Sequence, residues 1–289
     1  MTQYENNQGG FVFGTYIFCL TKKGELNGFK AKGLDGQSIT TVDYKEIMAL
    51  IHPCMPDELQ VDDTEKIIDR AMKHHKVVEN AWQAFGTLIP LRFGSIIHGE
   101  NETESIENVK SWIKDIYDHI QERFKDLKDK AEYGIQIFWP NDGLMKKVLQ
   151  NNTQIKDMEK KIAASSKEAS YMYKDKQKSL LQRCIAKEIV QASRFLLDRV
   201  RPYLNNFQIE QITGGEADRR MLLNISCLLS EDQIGNIKEA LKEIQRKDGY
   251  MPNLSGPWPP YSFARLDDKL YPSRARLFQV QPGGKVRCA

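Results

Sequence analysis

The chain has 289 residues, of which 40% are apolar and 28% charged, and its formal net charge is +3. That length carries two domains of ordinary size, no apolar run approaches the ~20 residues of a membrane span, and a charge so near neutral excludes a global polycation. The polar start Met1–Gly10 lacks the basic and apolar regions of a signal peptide, and five scattered cysteines (Cys19, Cys54, Cys184, Cys227, Cys288) form no CxxC pair, so the expectation is a cytoplasmic protein with reduced thiols.

In chain order, the β-branched and aromatic run Phe11–Leu20 predicts a buried first strand. A glycine-bearing loop follows, with Gly33-Leu34-Asp35-Gly36 as a turn. Short strands are expected over Ser38–Tyr44 and Glu46–His52, ended by His52-Pro53 and Met55-Pro56, since a residue before proline is held out of the α region. Asp62-Asp63-Thr64 is an N-cap cluster. The helix behind it has Ile67, Ala71, His75, Val78, Trp82 and Phe85 on its inner stripe, with His74 bordering it, and Gly86 as its C-terminal stop. Thr87–Ile96 then predicts one core strand. Pro90 places it at a strand start or an edge, and its lone charge, Arg92, reads as a structural arginine. After the acidic loop Gly99–Glu104, a helix with Ile106, Val109, Ile113, Ile116, Ile120, Phe124 and Leu127 inward is the clearest amphipathic pattern in the chain.

From Glu132 the period changes to two, with Tyr133, Ile135, Ile137 and Trp139 on one face of a strand that Pro140-Asn141-Asp142-Gly143 ends. A charged helical region follows, interrupted near Ser165-Ser166. A long helix runs from about Ser170 to Arg201 with Leu181, Ile185, Ile189, Ala192 and Leu196 inward. Strands near Phe207–Thr213 and Met221–Leu229 are joined by a turn at Gly214-Gly215. Ser230 and Gln233 predict a capping box, with Ile234, Ile237, Leu241 and Ile244 inward and a stop before Gly249. A last strand is expected over Pro260–Leu266. The order from residue 131 is β-α-β-β-α-β, that of a ferredoxin-like split βαβ domain. The expected organisation is thus α+β: an N-terminal domain over 1–130, a ferredoxin-like domain over 131–266, and a basic, irregular tail over 267–289.

Charge is uneven along the chain. Lys156–Arg201 holds 12 basic against 6 acidic residues, and Arg265–Arg287 holds 6 against 2. A solvated helix face explains the first excess most simply, and an acidic partner is the functional alternative. A nucleic-acid-binding module on a ferredoxin-like scaffold is a second alternative, but no aromatic RNP-type run supports it. An unrecognised enzyme is the remaining alternative, but the search for catalysis finds no P-loop, GxGxxG, HExxH or GxSxG. The histidines are His52, His74, His75, His98 and His119; His75 on the inner stripe and His74 beside it read as helix-packed, with no Cys/His/carboxylate set at metal spacing. The run Ser255-Gly256-Pro257-Trp258-Pro259-Pro260-Tyr261-Ser262-Phe263 packs prolines and aromatics into a stiff segment. It reads either as an edge strand capping the second core with Trp258 or as a preorganised docking surface made by Trp258, Pro259, Pro260, Tyr261 and Phe263.

Two runs carry a resemblance. Leu88-Ile89-Pro90-Leu91-Arg92-Phe93-Gly94, behind a His-containing helix with Val77-Val78-Glu79, and Gly256-Pro257-Trp258-Pro259-Pro260-Tyr261-Ser262-Phe263 are similar to the F/L family of gas vesicle proteins. Thr15-Tyr16, Gly33-Leu34-Asp35-Gly36 and Glu132-Tyr133-Gly134-Ile135-Gln136-Ile137 match in the family's order. Glu168-Ala169-Ser170-Tyr171 departs from the family's Gly-x-x-Tyr, and the family histidine aligns with either His74 or His75. The resemblance implies two ferredoxin-like domains in tandem, the first less regular, with Pro90, Arg92, Phe93 and Gly94 as structural motif residues. It further implies a non-catalytic, cofactor-free accessory protein of gas vesicle assembly, located in the cytoplasm and at the gas vesicle. Its partners would be the small hydrophobic shell protein (GvpA-like) and other accessory gas vesicle proteins, with no nucleic acid and no membrane.

Overall fold

The computed structural model of the chain describes residues 13–24, 29, 31–36, 38–54, 63–212, 218–266, 270, 278–280 and 286–288. The expected turn at Gly214-Gly215, the cap residue Asp62 and most of the tail lie outside them. The chain divides into two compact units, one formed by 1–132 with 257–289 and the other by 133–256.

The first unit is built on β1 (Phe13–Lys22), which pairs antiparallel with β3 (Ile47–Cys54); β3 pairs in turn with β2 (Thr40–Tyr44). On its other side β1 is flanked by two short segments in tandem, β4 (Leu88–Pro90) and β5 (Ile96–Gly99). The single core strand expected over Thr87–Ile96 is therefore two strands. The register of β1 against β3 shifts between Ile17 and Cys19, and such a bulge bends the strand and breaks the ladder locally. Opposite the bulge the edge partner turns away: Leu91 N–H donates to the Phe18 carbonyl (2.9 Å), Ile17 N–H donates to the Ser95 carbonyl (2.9 Å), and Gly94 adopts φ 86°. Pro90, opposite Cys19, lies where the edge strand ends and no ladder donor is needed.

Helix α1 (Thr64–Phe85) and helix α2 (Glu102–Asp115) cover opposite faces of this sheet. Tyr16 reaches His74 of α1, and its neighbour Thr15 bonds Ser105 of α2 (2.7 Å), as alternation along a strand requires. Both faces being covered, β1 is buried from Gly14 to Thr21. This explains why its sequence is a continuous apolar run. The Asp63 carboxylate caps α1 by accepting from Glu65 and Lys66 N–H. The amphipathic pattern expected as one helix is two, α2 and α3 (Tyr117–Leu127), with a break at Ile116. Pro53 does not end β3, which runs on to Cys54. A 3-10 turn at Leu34–Gly36 occupies the β1–β2 connection, where a ferredoxin-like domain carries its first helix. The spatial order, β2-β3-β1-β4, is otherwise that of the ferredoxin-like sheet.

The second unit repeats that order as β7-β8-β6-β9, from β6 (Lys130–Pro140), β7 (Asn206–Ile209), β8 (Arg219–Ser230) and β9 (Met251–Trp258). Between β6 and β7 run α4 (Asn141–Asn151), α5 (Thr153–Ala163) and the 34-residue α6 (Lys167–Val200). Asn141-Asp142-Gly143 opens α4 directly after the strand. Helix α7 (Glu231–Asp248) begins with the expected capping box, Ser230 N–H donating to the Gln233 side chain (3.0 Å), and closes at Gly249 in the left-handed region, φ 71°. Its Ile234, Ile237, Leu241 and Ile244 pack into one core with Ile135, Ile137, Ile225 and Leu196. The last strand is not Pro260–Leu266. The chain leaves α7 at Gly249 and pairs at once along Met251–Trp258, whereas residues 259–264 fold into a tight turn, Ala264 N–H donating to the Pro260 carbonyl (2.8 Å). In the tail, β10 (Phe278–Val280) and β11 (Val286–Cys288) pair antiparallel, so that segment is not wholly irregular.

Candidate functional site

The two runs singled out in the sequence both meet α1 at adjacent histidines within the first unit. Tyr16 is fully buried, and its hydroxyl accepts from Gly94 N–H (3.1 Å) while donating to Nδ1 of His74 (2.7 Å). His74 Nε2 lies 3.1 Å from the Leu91 carbonyl. A carbonyl only accepts, so Nε2 carries the proton and Nδ1 accepts from Tyr16. Burial lowers the His74 pKa to about 4 and raises that of Tyr16, so both are neutral near pH 7. Phe93 packs edge-on to His74 (centroids 6.0 Å apart) and His52 stacks on Tyr16 (5.2 Å). The network ties the Leu91–Ser95 turn to the sheet. Each buried polar group left without its partner would cost about 1–3 kcal/mol.

His75, the next residue, serves the second run. Its Nδ1 is 3.2 Å from the Tyr261 hydroxyl, and the rings lie 5.6 Å apart. Burial raises the Tyr261 pKa strongly. The turn that carries Tyr261 is held by Glu132, whose carboxylate oxygens accept from Ser262 N–H (2.7 Å) and from the Ser262 hydroxyl (2.6 Å). Pro259, Pro260 and Phe263 are buried, Tyr261 is half-buried, and Trp258 is 43% exposed at the end of β9. The five residues expected to form one stiff docking surface are thus not brought to one surface. Trp258 alone faces solvent broadly, and it does not cap the second core. Pro90 and Gly94 are buried, and Arg92 and Phe93 are half-buried around the His74 network.

The histidine stripe is also corrected. The buried residues of α1 are His74, Val77, Val78 and Ala81, so His74 and not His75 lies innermost. Two adjacent histidines are alike to a periodicity search, and which of them turns inward is set by the buried partners Tyr16 and Leu91, distant in sequence. Glu132 was missed for a related reason: as an acid alternating with core residues it reads as a solvent-facing position, and its partner is 130 positions away.

In the second unit a cleft of about 630 Å³ is lined by Trp139, Lys147, Asn151, Glu188, Phe195 and Tyr250. Lys147 sits over the Trp139 ring (5.4 Å) and the Asn151 amide donates to Glu188 (3.2 Å). Among the described residues no three His, Cys, Asp or Glu side chains converge at metal-binding geometry, and no helix is long and apolar enough to cross a membrane.

The chain matches the family model of the gas vesicle synthesis protein GvpL/GvpF over residues 14–265. It is similar to gas vesicle protein L1 of Halobacterium salinarum, at 21% identity over 260 residues that cover 87% of this chain and 90% of that one. Gas vesicle protein L of Haloferax mediterranei is 22% identical over 239 residues, covering 80% and 72%. Among solved structures, the gas vesicle protein GvpF from Anabaena sp. PCC7120 superposes with a TM-score of 0.66 at 18% identity, and GvpF from Microcystis aeruginosa with 0.61 at 20%. Each covers 88% of this chain and is itself covered to 99%. The likeness to these structures establishes the tandem α+β fold.

Proposed function

From the premise that the chain belongs to the gas vesicle synthesis protein GvpL/GvpF family, we propose that it is a non-catalytic accessory protein of gas vesicle assembly. It acts in the cytoplasm and at the gas vesicle, where it binds the small hydrophobic shell protein (GvpA-like) and other accessory proteins. The observation that carries this reading is the family match, which spans both units and takes in both motif runs. A shell subunit that turns an apolar face to gas is an aggregation hazard while free in water, and a protein that holds such subunits would remove the hazard. Trp258 supports a place for that contact. It is a broadly exposed aromatic at the end of β9, the edge strand of its sheet, and an edge strand offers unpaired backbone groups to an added strand.

The test is capture of the shell protein from cells that co-express the gas vesicle genes, by the wild-type chain and by Trp258→Ala. Wild-type capture with loss of at least tenfold in the variant, at unchanged thermal stability, is the expected result. Equal capture by a folded variant would remove Trp258 from the contact, and no capture by the wild type would remove shell binding itself.

A further inference from the structure

We propose that the outer face of α6 is a docking surface for an acidic, amphipathic helix of another protein. The inner face of α6 is occupied over its C-terminal half: Leu181, Cys184, Ile185, Ile189, Ala192, Leu196 and Val200 pack into the second core. On the opposite side Met172, Lys176, Ser179, Arg183, Ala186 and Val190 follow one another in alternating steps of four and three, and all are exposed. That spacing keeps a stripe on one side of a helix and is the seam along which a second helix packs. It extends for ~27 Å at 1.5 Å per residue. Lys187 and Arg194 lie beside it, also exposed.

Three features distinguish this stripe from an ordinary solvated face. Lys176, Arg183, Lys187 and Arg194 are all cationic, and no acid stands on the stripe between Met172 and Val190; Asp175 lies beside it, Glu188 is on the far side of the helix in the Trp139 cleft, and Glu168 lies one turn before its start. None of the four cations is ion-paired among the described residues, whereas elsewhere in the second unit Arg199 and Lys247 both pair with Glu243. Finally, apolar side chains are left in water along the same line, Met172 at 61% and Val190 at 50% exposure, with the small residues Ser179 and Ala186 between them. Small and apolar positions admit the backbone of a second helix, and the long cations, two within the stripe and two along one side of it, reach the carboxylates on its flank. A helix with an apolar seam bordered by Glu or Asp is complementary on both counts. The exposed apolar positions along the seam favour a protein over a nucleic acid, whose phosphates would engage the cations alone.

This deepens the accessory-protein reading, on which it rests only in seeking its partner among gas vesicle proteins, and its first test does not need that reading. The probe is a synthetic 28-residue helix with a Leu/Ala seam bordered by Glu, compared with a twin carrying Lys in place of Glu. Binding is followed by fluorescence anisotropy to the full chain and to a Lys176→Glu, Arg183→Glu, Lys187→Glu, Arg194→Glu variant whose fold is checked by circular dichroism. Four exposed ion pairs predict a preference on the order of tenfold for the Glu peptide. The preference inverts in the variant and fades at ~1 M salt, where the Debye length is ~3 Å. Equal binding of the two peptides, or an unchanged preference in the folded variant, overturns the proposal. So does tighter binding to a 24-base-pair DNA duplex or to anionic lipid vesicles than to the Glu peptide. In cells, a photo-crosslinker placed at Ala186 is expected to capture an acidic helical segment of a gas vesicle protein. Vesicles that form normally with no such crosslink overturn the surface, whereas vesicles that form normally without the whole chain overturn the accessory role.

Discussion

At the scale of single residues, two adjacent histidines of α1 divide the work of holding the two motif runs in place. His74 is innermost, neutral, and bonded on both sides; His75 is half-buried and meets Tyr261. Burial holds the His74 pKa down to about 4, against 6.5 when unfolded. A group whose folded pKa is lowered contributes its full stability above the unfolded value and loses it as pH falls toward the folded one. The expected loss from His74 alone is about 2 kcal/mol between pH 7 and pH 5. Urea midpoints at the two pH values measure it. His74→Gln keeps an acceptor for Tyr16 and a donor for Leu91, so it should flatten this pH dependence while remaining folded. His74→Ala should destabilise at both pH values, because the Tyr16 hydroxyl and the Leu91 carbonyl lose a partner. A slope in His74→Gln equal to that of the wild type would mean that the titrating group lies elsewhere.

At the scale of elements, what the sequence made legible follows from which forces act locally. The capping box at Ser230 and Gln233, the Asp63 cap and the stop at Gly249 are local, and each appears where the residues predict it. The inner stripes of α6 and α7 are long and periodic, and they are also found as read. The misreadings have non-local causes. Pro90 and Gly94 allow a break between Thr87 and Ile96, but its place answers a bulge in β1, some 70 residues earlier, which no local pattern shows. The prolines of 257–260 suggested a later strand because the pairing of Met251–Trp258 in the sheet is set by tertiary contacts. Two glycines make the same distinction testable. A Cβ on Gly99, in β5, would stand 2.3 Å from Ser105 N and 2.8 Å from its Cα, backbone atoms of the first turn of α2. Gly99→Ala should therefore lower stability by about 1–3 kcal/mol or more. Gly235, exposed in α7, has nothing within 4 Å of its Cβ position. Gly235→Ala should raise stability by up to about 1 kcal/mol through helix propensity. Thermal midpoints of the two variants should move in opposite directions.

At the scale of the whole chain, the first unit is discontinuous in sequence. It needs 1–132, releases the chain to fold the second unit, and takes it back at residue 257. The sequence pattern places 131–266 in one domain because it puts the last strand of the βαββαβ order at Pro260–Leu266. The contacts of the return segment assign it otherwise: Ser262 to Glu132, Tyr261 to His75, and Tyr261 against the core of Tyr16, Phe18 and Val78. The return turn is then part of the first core and not a lid that can be spared. Phe263 is 7% exposed, and Phe263→Ala should cost about 3–5 kcal/mol. The cost should register as lost hydrogen-exchange protection in β1 and α1, with less change along Ile237–Ile244 of α7. Trp258→Ala, five residues earlier but exposed, should leave both sets of amides protected. The pair separates two roles within one motif run: residues 259–264 complete a fold, and Trp258 is left for contact with a partner. If Phe263→Ala instead loosens α7 first, the turn belongs to the second core, and a 131–266 fragment becomes the natural unit to isolate.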